Sequence, residues 1–254
     1  GDHYEIVSNV VYGNAVTNGY HTSGISFYQQ RAAGGAASGY NNVIFGNIIY
    51  DNIESNVTAR PITDGNGIII DDQKNTQSQF GGNNQAYQGS TLVANNVIYN
   101  NGAKGVQVYL SDNVDVVNNT VVRNNRDNQL IGTWRGELNV SAADDIRFLN
   151  NIAISDPNHN VDNRALLLGC YGDFTCNNIE HRNNITYSGQ AGDPSVRIDN
   201  VDQTLNSLQS TNYLGENPGI GNHTQFSFNG ADTLSIERNG ERIGASPENR
   251  LADF

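Results

Sequence analysis

Along the chain, short apolar runs flank an asparagine, and the arrangement repeats. Six segments superimpose: YEIVSNVVYGN, NVIFGNIIYDN, TLVANNVIYNN, NVDVVNNTVVRNN, DIRFLNNIAISD and NIEHRNNITYSG. The shared residues are Asn9, Asn47, Asn96, Asn119, Asn151 and Asn184, spaced by 38, 49, 23, 32 and 33 residues. A minimum near 23 with longer intervals is what a coil gives when some turns carry loops. A helical repeat would hold its period better and would not be so rich in Asn, Val and Ile. Most segments are followed by a second run in which apolar residues alternate: GISFYQ, GIIIDD, GVQVYL, GELNVS, ALLLGC and SVRIDN. Each repeat therefore holds at least two short strands joined by an Asn-containing bend. Stacked in parallel and in register at ~4.8 Å per coil, six such repeats give a rod core roughly 25–30 Å long.

The alternation also decides which residues face the core. In GIIIDD, Ile68 and Ile70 point inward, Ile69 and Asp71 point outward, and Asp72 marks the exit into a loop. Superimposing the second strands puts Tyr28, Asp71, Tyr109, Ser141, Gly169 and Asp199 in one outward column. The neighbouring outward column is Ser26, Ile69, Gln107, Asn139, Leu167 and Arg197; a slip of one residue would exchange inside for outside. At the bends, Asn tolerates left-handed backbone. Equivalent amides in successive coils are expected to hydrogen-bond as a ladder.

With these features the chain resembles the right-handed parallel β-helix superfamily, that of pectate lyases, polygalacturonases, alginate epimerases and phage tailspikes, over residues 4 to about 200. The expected fold is all-β: a single-stranded right-handed parallel β-helix, a solenoid with an Asn ladder, formed by residues 1–200. Residues 201–254 lose the repeat and look like the irregular C-terminal capping segment of bacterial β-helix proteins, where a short strand covers the last coil. The repeat begins within five residues of the first one, where nothing resembles a cap. End-to-end or lateral self-assembly is therefore a further expectation.

Composition narrows the partners. The net charge of −12 argues against nucleic acid, since phosphate binding needs an excess of Lys and Arg. An acidic surface is also unwelcoming to an acidic polymer unless cations or local Arg and Lys offset it. Charged residues are only 16% of the chain, so uncharged polar groups must carry much of the surface. No apolar run approaches the ~18 residues of a membrane span. GDHYEIVSNVVYGN already reads as structured sequence, so the chain is expected to start after processing or to be part of a longer one. Cys170 and Cys176 are close enough for a small-loop disulfide, which would fit an extracellular or cell-surface location; two unpaired thiols are the alternative.

The candidate chemistry gathers around the outward column. Tyr28, Asp71 and Tyr109 stacked together suit a sugar, which wants aromatic faces and carboxylate acceptors. ARPITDGNG brings Arg60 and Asp64 onto the loop entering the Ile68 strand, and GTWRGEL brings Trp134, Arg135 and Glu137 to a strand two coils on. Both blocks are similar to ones in secreted bacterial proteins described only as carrying β-helix repeats. Three readings compete. In the first, which is the preferred one, Asp64, Asp71 and Asp72 supply oxygens to Ca²⁺ and a base removes the C5 proton of a uronate in a polysaccharide, as in pectate-lyase-like enzymes. The candidate bases are Arg60, Arg135, Lys74 and Lys104. In the second, paired carboxylates hydrolyse or epimerise the polymer. Asp71–Asp72 resembles the Asp doublet of polygalacturonases, but the chain lacks their Asn-Thr-Asp, Gly-His-Gly and Arg-Ile-Lys blocks, and it also lacks the Arg-x-Pro-x-x-Arg block of the main pectate lyases. In the third, Asp71–Asp72 caps a turn, the arginines pair with Asp64 or Glu137, and the protein is a binding or filament-forming one. Under the enzyme readings Asp71, Asp72, Arg135, Arg60 and Glu137 are the catalytic candidates, and Tyr28, Tyr109, Trp134 and Lys74 the substrate-binding ones. Among the histidines, His181 is expected at a solvent-facing strand position, and His21 within reach of the Tyr28 column.

Overall fold

The structure, a computed structural model, describes residues 1–18, 20–31, 39–54, 62–77, 85–129, 135–159, 164–170, 174, 176–190, 192–203, 212–214, 234–238 and 241–245. Each repeat contains three strands, one more than the alternating pattern alone reveals. The first repeat holds β1 (Glu5–Val7), β2 (Val10–Tyr12) and β3 (Ile25–Tyr28); the second holds β4 (Asn42–Phe45), β5 (Ile48–Tyr50) and β6 (Ile68–Asp71). The third holds β7 (Thr91–Ala94), β8 (Val97–Tyr99) and β9 (Val106–Tyr109), and the fourth β10 (Val114–Val117), β11 (Thr120–Val122) and β12 (Gly136–Ser141). The fifth holds β13 (Ile146–Leu149), β14 (Ile152–Ile154) and β15 (Arg164–Gly169), and the sixth β16 (Ile179–Arg182), β17 (Asn184–Tyr187) and β18 (Val196–Ile198). The first strands of all six repeats pair in parallel as sheet A, the second as sheet B and the third as sheet C. No helix occurs among the described residues, so none is long and apolar enough to cross a membrane. This all-β arrangement of parallel, in-register sheets is compatible with a parallel β-helix.

The core lies between the sheets. Ile44, Val93, Val116 and Phe148 from sheet A meet Ile49, Ile98, Val121 and Ala153 from sheet B and Ile70, Val108, Val140 and Leu168 from sheet C. His181 occupies the same inward register position as Val116 and Phe148, not the solvent-facing one expected, and burial lowers its pKa. The preceding bend decides this, because it sets the phase of the alternation in a strand whose own pattern, IEHR, is ambiguous.

The bend between sheets A and B carries the ladder. Each amide donates to the side-chain oxygen of its equivalent in the next repeat: Asn9 to Asn47 at 3.2 Å, Asn47 to Asn96 and Asn96 to Asn119 at 2.9 Å, Asn119 to Asn151 at 3.0 Å and Asn151 to Asn184 at 2.9 Å. The backbone N–H of each donates to the same oxygen. The left-handed residue, however, is the one before the ladder position: Ser8, Gly46, Asn95, Asn118, Asn150 and Asn183 all have φ between 53° and 66°. That turn swings the following Asn side chain inward, where Asn47, Asn96, Asn119, Asn151 and Asn184 are fully buried.

A second ladder runs at the end of sheet B. Asn52 donates to Asn101 and Asn101 to Asn124, each at 2.8 Å, and Asn124 donates to the Glu137 carboxylate at 2.7 Å.

The segment after residue 200 divides. β19 (Val201–Asp202) turns back antiparallel on β18, where Asp202 accepts from Arg164 and Arg197, and β20 (Asn212–Leu214) adds to the end of sheet B beyond β17. β19 and β20 thus pair with the last strands of sheets C and B. The hairpin of β21 (Leu234–Arg238) and β22 (Glu241–Ala245) does something else. Gly244 N–H donates to the Asn150 carbonyl, Ala245 N–H donates to Thr120 Oγ1, and Ala245 packs with Val97, Tyr99, Val122, Ile152 and Ile154. Those side chains point away from the core, and so much outward apolar surface needs a cover.

Candidate functional site

Sheet C positions the candidate site. Its register pairs Tyr28 with Asp71, Asp71 with Tyr109, Tyr109 with Ser141 and Ser141 with Gly169. The column beside it pairs Ser26, Ile69, Gln107, Asn139, Leu167 and Arg197. The second is the column expected from alternation, and the first matches its expected column as far as Gly169. On this face Tyr28 is 39% exposed, Asp71, Gln107, Tyr109 and Arg197 are half-buried, and Ile69, Asn139, Ser141 and Leu167 are buried.

The two neighbouring aspartates have different surroundings. Asp71 stays on the strand and faces outward; its Oδ1 is buried and has no hydrogen-bond partner among the described residues. Burial, followed by the charges of Asp64 and Asp72, pushes its pKa up to about 7 against the opposing pull of Lys104. Asp72 enters the left-handed region at φ 47° and is fully buried. Its carboxylate accepts from Thr76 N–H at 2.8 Å, Thr76 Oγ1 at 2.9 Å, Gln77 N–H at 2.9 Å and Gln29 Nε2 at 2.8 Å. Asp72 therefore closes the turn after β6, and its lone pairs are committed there.

Lys104 lies against the same face. Its ammonium donates to the Thr63 carbonyl at 3.2 Å. Burial lowers its pKa, with Arg135 adding to that effect and Asp64 and Asp71 opposing it. Asp64 accepts from Thr63 Oγ1 and from Asn66 Nδ2, each at 3.0 Å. Lys104 thus feels the charges of Asp64, Asp71 and Arg135, and Asp71 in turn acts on Tyr28, whose pKa burial and the two aspartates raise. The structure also brings in a pair that the sequence offered no pattern for: His21 Nδ1 lies 3.2 Å from Glu54 Oε2, while Thr22 N–H donates to Glu54 Oε1 at 2.6 Å. Burial raises the pKa of Glu54, and the charge of Asp64 adds to the rise.

Two other candidates, Glu137 and Lys74, fall elsewhere. Glu137 is fully buried as the terminal acceptor of the second ladder, taking hydrogen bonds from Asn124 N–H at 3.0 Å and Asn124 Nδ2 at 2.7 Å. The equivalent positions in earlier repeats are Gly67 and Gly105, and a Cβ on Gly105 would come within 2.1 Å of Val121 and 2.8 Å of Asn124. A side chain fits only where the Asn column stops. Lys74 is tied to Asp144 at 2.8 Å and to Asp112 at 3.1 Å, in the loops leading to sheet A. Arg60 and Trp134 lie outside the described residues.

Of the expected calcium set Asp64, Asp71 and Asp72, the last turns its carboxylate into its own loop. Among the described residues no group of three or more His, Cys, Asp and Glu side chains is placed to hold a metal ion.

A cavity of about 640 Å³ opens elsewhere, on the outward side of sheet A, lined by Asp115, Arg147 and Glu180 among others. Most of its charges are already matched. Arg147 donates to Asp115 from Nε at 2.6 Å, Tyr40 Oη donates to Asp115, and Glu180 accepts from Arg182 at 3.0 Å. This is the ion network of a solvated sheet face. At the end of sheet C, Cys170 and Cys176 form a disulfide with a Cα separation of 5.8 Å.

Comparisons with protein-family models, with curated proteins and with solved structures gave no match.

Proposed function

We propose that the protein is a secreted right-handed parallel β-helix of the pectate-lyase-like kind, and that the outward face of sheet C cleaves a polysaccharide by proton transfer from Asp71. The observation that carries this is the Asp71 carboxyl, held near neutrality on an open face between Tyr28 and Tyr109. A carboxyl with a pKa of about 7 still carries its proton at the pH where a glycosidic oxygen needs one. The Tyr28 ring offers an apolar platform for a pyranose face. Asp64, which accepts hydrogen bonds from Thr63 and Asn66, is the second carboxylate that hydrolysis requires. The disulfide supports an oxidising, extracellular setting.

Elimination is the second reading, favoured by Lys104. A buried amine with a lowered pKa suits removal of the C5 proton of a uronate. Arg135 would then neutralise the uronate carboxylate, and Asp71 would protonate the departing O4.

The test is a polysaccharide panel followed at 235 nm for unsaturated products and by reducing-end assay, with wild type and Asp71→Asn. Turnover should fall by about 10²–10⁴ in Asp71→Asn with no loss of melting temperature. Reducing ends without absorbance identify hydrolysis, and absorbance identifies elimination. A fully active Asp71→Asn would remove Asp71 from the reaction, and silence in both channels across the panel would remove the enzymatic reading and leave a binding or self-assembling protein.

A further inference from the structure

Beyond Asp71, the outward side of sheet C holds other buried polar atoms without a hydrogen-bond partner among the described residues: Gln107 Oε1, Asn139 Oδ1 and Ser141 Oγ. With Asp71 Oδ1 they form one patch. Gln107 and Asn139 are paired across adjacent strands, while Asp71 and Ser141 flank Tyr109 in the next column. Asp71 and Gln107 are half-buried on the open side; Asn139 and Ser141 form the deep side. The orientation of the Asn139 amide follows from its other contact. Its Nδ2 faces the Leu167 carbonyl at 3.4 Å, and a flipped amide would set two oxygens against each other.

Folded proteins leave few buried polar atoms unmatched, and here several adjoin on one face. All are oxygens, and only the Ser141 hydroxyl and the protonated form of Asp71 can also donate. Such a patch calls for donors. A carboxylate or sulfate group would bring further acceptors to it. The nearby ammonium of Lys104 already serves the Thr63 carbonyl and lies in the field of Asp64 and Asp71, and the whole chain carries a net charge of −12. Sugar hydroxyls donate, are uncharged and occur at the close spacing of neighbouring side chains.

We infer that this face selects a neutral, hydroxyl-rich saccharide over a polyuronate, with ring hydroxyls donating to Gln107, Asn139 and Ser141 beside Asp71. The inference rests on the reading of sheet C as a glycan-cleaving face, and it makes hydrolysis the reaction, because a neutral sugar lacks the carboxylate that acidifies its C5 proton.

The test uses the full chain carrying Asp71→Asn, so that binding is read without turnover. Calorimetric titrations with neutral oligosaccharides (gluco-, manno-, xylo- and galacto-series) are compared with oligogalacturonate and oligomannuronate. The expected result is measurable affinity for at least one neutral series and none for the uronates. Adding Gln107→Leu should weaken that affinity about tenfold or more at unchanged melting temperature. Ser141→Ala, a smaller change on the deep side, should weaken it by a lesser factor. Tighter binding of the uronates, or an affinity that Gln107→Leu does not alter, would overturn the inference while Asp71-dependent turnover of a uronate would leave the cleavage reading standing. Failure to bind any glycan would remove both. Heat from CaCl₂ alone that disappears in Gln107→Leu would assign these oxygens to a cation and overturn the inference as well.

Discussion

The bend between sheets A and B and the outward side of sheet C are built alike, as columns of polar side chains repeated from one strand to the next. They differ in how those side chains are satisfied. At the bend, the Asn119 oxygen accepts from the backbone and side chain of Asn96, and its amide donates to Val93, Val117 and Asn151. Each polar atom of this ladder side chain is matched, by a neighbouring repeat or by the strand just before it. On sheet C, Asp71, Gln107, Asn139 and Ser141 each retain an oxygen with no partner among the described residues. Polar atoms matched within the chain hold the stack together; polar atoms left unmatched beside a near-neutral acid are suited to something outside it. The lesson is to ask what a repeated polar residue bonds to before assigning it a role.

The sharpest way to break this contrast is at the ladder. Asn119→Leu strands the donors of Asn96 and removes three further bonds, so it should cost on the order of 3–5 kcal/mol in urea unfolding. Asn9→Leu, at the exposed end of the same column, should cost less than about 1 kcal/mol. Similar values for the two would mean that the column contributes by position alone and not through its hydrogen bonds.

The aspartate pair gives the next effect. Asp72→Ala leaves two backbone N–H groups and the Thr76 and Gln29 side chains without their acceptor, and should destabilise by about 2–4 kcal/mol. Asp71→Asn should destabilise not at all. Chemical denaturation of both variants decides the matter, and equal losses would dissolve the distinction between them.

The smallest effect is a slope with pH. The Asp71 pKa, about 7 in the folded protein, lies above its ordinary 3.8, so between these values the folded state holds a proton that the unfolded chain has released. Its contribution to stability is therefore lost as pH rises from about 4 to about 7, by on the order of a few kcal/mol. Comparing wild type with Asp71→Asn over this range isolates the slope. Parallel curves would place the raised pKa on another group. Activity that depends on the Asp71 proton should decline over the upper part of the same range.

Much of the fold could be read from the chain because its cues are local and repeated. Alternation in GIIIDD and GVQVYL put Ile68, Ile70, Val106 and Val108 inside, and the recurring Asn marked the bend. The shorter first and second strands were harder to separate, since each Asn sits between two runs of three or four residues that read as one. The second ladder is hidden for a similar reason: Asn52, Asn101 and Asn124 follow their strands closely, and its last acceptor, Glu137, is 13 residues along the chain from Asn124. Of the site, the outward column containing Tyr28, Asp71 and Tyr109 was readable, whereas the placement of Lys104 beside it, and of Glu54 against His21, was not.

The sequence by itself determined the stack: periodic apolar residues and a recurring amide can be satisfied together only by repeats that lie in parallel and in register. Tertiary structure alone decided the fate of individual acids. Asp71 and Asp72 are identical in type and adjacent in sequence, yet one left-handed backbone angle turns the second into its own loop and leaves the first on the open face. Glu137 looks like a catalytic acid in GTWRGEL until the neighbouring repeat presents Asn124 to it. The physical reason is common to both. A carboxylate's role depends on which donors reach it, and those donors come from residues that no local pattern ties to it.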